Sequence, residues 1–171
     1  MNEIFTRKSV RAYTDQPIEK EILVQLLKAG MAAPTACNSQ PWSFVVITEK
    51  ETLTAISQGM QYWQMLPTAA ASIIVCGVPS KSMALPGVGR EYWIQDCSAA
   101  LQNIMLEAES HKIGSVWLGC YPNQERVDHI RKVLDIPKDI IPFGVISLGY
   151  PLKEEKAKDK FKEENIHWEK W

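Results

Sequence analysis

Pro34-Thr35-Ala36-Cys37-Asn38-Ser39-Gln40-Pro41-Trp42 is the stretch on which the reading of this chain turns. On its N-terminal side, residues 19–32 carry Ile22, Leu23, Leu26, Leu27 and Gly30 on one helical face. On its C-terminal side, Ser43-Phe44-Val45-Val46-Ile47-Thr48 reads as a strand, too continuous in apolar character to have a wet face. Between them, small and amide side chains (Thr35, Ala36, Asn38, Ser39, Gln40) are enclosed by two prolines. Proline blocks helix continuation and biases the residues before it, Ala33 and Gln40, toward extended conformations. The result is a loop of defined shape with amide donors and acceptors and little bulk, suited to the edge of a flat polar heterocycle. Taken alone, an ordinary helix-to-strand connection is the plainer reading.

Weight comes from a second run, Arg7-Lys8-Ser9-Val10-Arg11. It lies where a short helix over residues 2–8 gives way to extended chain over residues 10–14. Arg7, Ser9 and Arg11 share one side of an extended chain, whereas a helix would turn Ser9 away from the arginines. Two guanidiniums and a hydroxyl around one point suit a phosphate monoester, at roughly 1.5–3 kcal/mol per charge-assisted bond. The alternative is a solvated basic turn.

Further along, residues 50–58 read as a short helix and residues 71–78 as a second buried strand. Residues 79–90 form a loop by composition. Its Gly87-Val88-Gly89 lacks the third glycine and the preceding strand of a dinucleotide fingerprint. A long helix spans residues 92–111, with a core stripe of Ile94, Cys97, Leu101, Ile104, Met105 and Ala108, and Gly114 as its C-cap. Ser115-Val116-Trp117-Leu118 is a third strand, Asn123 caps a helix to about Leu134, and residues 143–150 are a fourth strand. The tail after Pro151 is charged from Lys153 to Glu164, yet closes on Ile166-His167-Trp168-Glu169-Lys170-Trp171. Two tryptophans are of little use to a disordered tail, so this end is expected to dock.

The 171 residues fit one domain, and 46% hydrophobic residues are enough for a real core. With 19 basic and 20 acidic side chains, net charge −1, nothing attracts nucleic acid or an anionic membrane. No apolar signal segment opens the chain and no run is long enough to span a bilayer, so a cytoplasmic protein is expected. Cys37, Cys76, Cys97 and Cys120 show no CxxC spacing and His111, His129 and His167 no ligand spacing, so no metal is expected. Only Cys37 is placed to line a site.

Four blocks carry a resemblance: Arg7-x-Ser9-x-Arg11-x-Tyr13; Ala33 through Phe44; Ile113-Gly114-Ser115-Val116-Trp117-Leu118-Gly119; and Phe143 through Pro151. In order and spacing they resemble the nitroreductase family of FMN-dependent oxidoreductases. Each block is weak alone, and together they span the chain. The resemblance implies an α+β fold: an α-β-α sandwich around a central mixed, mainly antiparallel sheet. Residues 1–171 would form a single domain, and residues 151–171 a tail exchanged in a homodimer with FMN at the subunit interface.

It also implies roles. Arg7 and Ser9, with Lys8 between them, match positions at the flavin phosphate, and Arg11 a basic position beside the flavin's pyrimidine side. Pro34, Thr35, Ala36 and Asn38, with Gln40, match the loop that approaches the flavin from the second subunit. Trp117, Leu118 and Gly119 match the segment beneath the ring, where a backbone N–H, that of Gly119, meets N5. Lys158 and Lys160 match a basic pair completing the phosphate site, with Lys153 and Lys156 as nearby alternatives. The activity implied is electron transfer from NADH or NADPH through FMN to nitroaromatics, quinones or similar acceptors, by a ping-pong mechanism. No catalytic side chain is expected, because the flavin carries the chemistry. A flavin store or redox sensor without turnover would share every motif, as would a flavin-consuming branch. Two departures stand out. Residues 59–67 lack the Asn and Lys that larger members present to the flavin, and the loop over residues 79–90 is much shorter than their helical insertion. A dehalogenating lid motif is not evident.

Overall fold

The computed structural model describes residues 2–83 and 91–171. Among the described residues six α-helices and four strands follow one another: α1 (Glu3–Thr6), α2 (Lys20–Met31), β1 (Trp42–Ile47), α3 (Lys50–Ser57), β2 (Ala71–Gly77), α4 (Pro79–Met83), α5 (Tyr92–Ser110), β3 (Gly114–Gly119), α6 (Gln124–Val133) and β4 (Ile141–Gly149). The sheet runs β1-β2-β4-β3, with every neighbouring pair antiparallel. Among the described residues a parallel contact enters only at the bridge between Ser9 and Ser115, where the N-terminal run lies beside β3.

Successive strand residues face opposite sides, and each side has its own apolar layer. Ile73, Val75, Ile146 and Leu148 pack with α2 and α5, around Leu26, Leu101 and Ile104. Ile74, Cys76, Val116, Leu118 and Val145 pack with α3 and α6, around Leu53, Ile56, Trp63 and Ile130. The expected α-β-α sandwich is present. Between Val75 and Cys76 the register of β4 jumps from Gly144 to Pro142, which leaves Phe143 unpaired in a bulge. Phe143 joins the α5 layer, where Trp93 packs edge-on against it.

Four details differ from the expectations. β1 is an edge strand with one neighbour, so Ser43 is exposed and Val46 is 38% exposed; its apolar run does not make it dry on both faces. The left-handed residue after α5 is Lys112, at φ 59°, whereas Gly114 already begins β3. Close packing accounts for that glycine, because a Cβ there would lie 2.7 Å from Val10 Cβ. Residues 79–83 are helical as α4, where proline suits a first turn, and the Gly87-Val88-Gly89 run lies outside the described residues. Finally, β4 begins at Ile141, two residues earlier than the composition implied. No helix among the described residues is long and apolar enough to cross a membrane.

Candidate functional site

The N-terminal run is anchored by its apolar members. Val10 is buried, and its N–H donates to Ser115 O at 3.0 Å. Tyr13 is buried as well, with its hydroxyl donating to Val10 O at 2.8 Å. Ser9 and Arg11, on either side of Val10, are exposed. Arg7 lines a hollow of about 610 Å³ with Ile4, Phe5, Lys158, Lys160 and Phe161, so cations from opposite ends of the chain meet there. Asp159 is the one carboxylate on that wall. Arg11 lines a different hollow, of about 450 Å³, with Tyr13, Gln64, Met65 and Thr68. The two guanidiniums therefore do not converge on one point. Such a division suits the separate phosphate and pyrimidine roles that the resemblance implies. Lys8 turns elsewhere, with its ammonium 3.4 Å from Glu109 on α5.

The edge of β3 supplies a second feature. Backbone groups along a strand alternate between the two neighbouring sides. Ser115 turns its carbonyl to Val10, away from β4. Trp117 and Gly119, two and four residues on, therefore also present their N–H and C=O away from β4. Leu118 is buried in the α6 layer, while Trp117 is 38% exposed with its ring 5.8 Å from that of Phe143. Gly119 is exposed, and the nearest atom to a Cβ placed there is Arg126 Nη1 at 3.9 Å. The protein's own packing does not require glycine at this position. The space beside it is open.

Arg126 occupies the first turn of α6, where Asn123 Oδ1 accepts its backbone N–H at 3.0 Å. Its Nη1 donates to Gly119 O at 2.7 Å, and its guanidinium lies 5.8 Å from the ring centroid of buried Trp63. A cation at a helix N-terminus opposes the macrodipole by roughly 0.3–1 kcal/mol. A charged hydrogen bond contributes about 1.5 kcal/mol at its low end and the aromatic contact about 0.5 kcal/mol more, so these contacts prevail.

The loop is held in a shape that side chains rarely adopt. Cys37, Asn38 and Gln40 have φ of 50°, 55° and 46°. Thr35 Oγ1 accepts the Gln40 N–H at 3.2 Å, and Asn38 Oδ1 accepts from Gln40 Nε2 at 3.0 Å. Ala36 N–H donates to Asp96 Oδ1 at 3.1 Å, which ties the turn to α5. Asp96 is 5% exposed and its Oδ2 has no partner among the described residues. Burial holds its carboxyl above the usual range, and the Ala36 N–H works against that. Pro34 and Cys37 are exposed. Neither hollow described above contains a residue of 34–40.

Asp96 and Arg126 were not singled out from the sequence. Asp96 left a signal: it falls three residues after Trp93 and four before Ala100, on the core face of α5. A carboxylate there needs a partner. The signal for Arg126 is a basic residue in the turn opened by Asn123, at the end of the helix that disfavours it. The expected residues divide into three groups. Arg7, Lys158 and Lys160 meet in one hollow, Arg11 stands at a second, and Trp117-Leu118-Gly119 form an open edge. Thr35, Ala36, Asn38 and Gln40 line neither hollow. The cationic hollow and the bare strand edge at Gly119 fit an FMN phosphate and ring. Among the described residues no group of His, Cys, Asp and Glu could hold a metal ion.

The model of the nitroreductase family matches this chain over residues 4–72 and 61–150. A protein of Archaeoglobus fulgidus with the provisional name NADH dehydrogenase/NAD(P)H nitroreductase is 47% identical, over 98% of this chain and 96% of its own. A crystal structure from Parabacteroides distasonis under the same provisional name superposes with a TM-score of 0.93. It shows 40% identity, over 99% of this chain and 97% of that one. An FMN-dependent nitroreductase structure from Clostridium difficile superposes with a TM-score of 0.89 at 27% identity, over 99% of both chains.

Proposed function

The chain belongs to the nitroreductase family, and from that premise we propose how its residues divide the work. It is an NAD(P)H-dependent oxidoreductase with FMN as its cofactor. When bound, FMN would supply the redox chemistry, relaying two electrons from NAD(P)H to an acceptor. Arg7, Lys158 and Lys160 hold the phosphate, with Ser9 contributing its hydroxyl. Lys8 stays outside this contact, engaged with Glu109. Arg11 places a cation beside the pyrimidine side, and Gln64 in the same hollow offers an amide where residues 59–67 lack the Asn and Lys of larger members. Gly119 donates its outward N–H toward N5, and Trp117 gives the ring an apolar neighbour.

Pro34, Thr35, Ala36, Asn38 and Gln40 serve the partner subunit's flavin in a homodimer, which accounts for their absence from the hollow that Arg7 lines. Nitroaromatics and quinones are the acceptors. They enter the place the nicotinamide has left, so kinetics are ping-pong, with parallel lines in double-reciprocal plots.

The observation that carries this reading is the hollow that joins Arg7 to Lys158 and Lys160. Its test is a ligand comparison. Changing Arg7 and Ser9 together to Ala should weaken FMN binding at least about tenfold while leaving riboflavin, which lacks the phosphate, nearly unaffected. Equal losses for the two ligands would overturn the phosphate assignment.

A further inference from the structure

We propose that Arg126 is a positioning residue of the flavin site: it fixes the Gly119–Cys120 peptide at the end of β3, and its cation favours the reduced, anionic form of bound FMN. The inference rests on the reading that Gly119 N–H meets the flavin.

The geometry that supports it is local. β3 ends at Gly119, and the outward carbonyl of that residue has no neighbouring strand to accept from. Arg126 Nη1 supplies the donor at 2.7 Å. Fixing this carbonyl fixes ψ of Gly119 and holds the chain on the C-terminal side of the residue, while the β3–β4 ladder holds the peptide that carries its N–H. The guanidinium is in turn seated against Trp63, which is 1% exposed and immobilised in the α3–α6 layer. One side chain thus ties the strand end, the start of α6 and the segment over residues 59–67 together.

Charge is the second strand of the argument. None of the ion pairs among the described residues includes Arg126, so no carboxylate offsets its cation there. A guanidinium stays charged at every pH the protein will meet. Its field reaches its neighbours: burial pushes the Cys120 thiol up to about 12, with Arg126 acting in the opposite direction. A fixed positive charge beside a flavin that gains negative charge on reduction holds the reduced form more tightly than the oxidised one. That difference is a midpoint potential.

A residue that only braced the fold would affect stability and leave the ratio of the two affinities alone. The experiment therefore measures the two-electron midpoint potential of the FMN-loaded protein, by equilibration with a reference dye, beside its thermal unfolding. Arg126→Gln keeps a donor for the Gly119 carbonyl and removes the charge; Arg126→Met removes both; Arg126→Lys keeps the charge. Gln and Met should each weaken binding of reduced relative to oxidised FMN about tenfold, about 30 mV toward negative potential. Lys should restore most of the difference. Should Met fail to fold, Gln carries the comparison. Potentials unchanged in a folded, FMN-loaded Gln or Met variant overturn the inference and leave the family reading intact. A wild-type protein that takes up no FMN overturns the reading on which it rests.

Discussion

Asp96 shows how one side chain can hold a site that it does not touch. Its Oδ1 accepts from Ala36 while burial disfavours its charge. The sign follows from linkage. A carboxyl whose folded pKa is raised above the ordinary 3.8 binds more protons folded than unfolded in the window above that value. Stability therefore falls as pH rises through the window and stays lower beyond it. Asp96→Asn keeps an acceptor for Ala36 and removes the charge, so it should be at least as stable as wild type at pH 7, with the advantage shrinking toward pH 4. Asp96→Ala strands the Ala36 N–H and should lose about 1–3 kcal/mol. Urea midpoints at the two pH values decide it. An Asn variant as unstable as the Ala variant at pH 7 would mean that the charge is needed. The sequence marked Asp96 and Arg126 as out of place but did not reveal their partners, because each partner is a backbone group: Ala36 N–H lies 60 residues from Asp96 and Gly119 O seven residues from Arg126. Side-chain spacing does not reveal such pairings.

Among the elements, periodicity carried most of the fold. α2, α5 and the strands were readable from apolar spacing and the Asn123 cap, because each buries one face or two. Edge position was not readable, since β1 has the apolar run of a central strand and gains its exposure only from the order β1-β2-β4-β3. Composition also hid α4 inside a loop. The glycines at the two ends of the β3–β4 pair give a test at this scale. A Cβ at Gly149 would lie 2.6 Å from the Tyr13 ring, whereas one at Gly119 meets nothing closer than 3.9 Å. Gly149→Ala should lower the melting temperature by several degrees, about 1–3 kcal/mol of overpacking. Gly119→Ala should melt within about a degree of wild type and yet bind FMN more weakly, because the added methyl occupies the ligand's side. Equal FMN affinity in Gly119→Ala and wild type would show that no ligand approaches this edge.

At the scale of the whole molecule, the tail is the part the single chain leaves unexplained. Trp168 and Trp171 are 83% and 101% exposed, and Phe161 and Ile166 are exposed too. Side chains of this size are rarely left in water without a partner surface. A second subunit would cover them, and the exposed edge of β1 is an acceptor for added chain. Truncation after Gly149 should therefore give monomer or aggregate without flavin, and a truncated dimer that retains FMN would contradict the exchanged tail. Two hollows with cations and one strand edge lie on this chain, and no residue of 34–40 lines either hollow. The sequence blocks named these residues, and which of them meet within one chain depends on the fold: Arg7 meets Lys158 and Lys160, while Arg11 lines a separate hollow. The most direct measurement is the visible spectrum of the FMN-loaded protein under anaerobic conditions. The account predicts that NADH or NADPH bleaches the flavin bands and that a quinone or nitroaromatic then restores them. Bands that stay unchanged with both nucleotides, in folded protein carrying FMN, would contradict it.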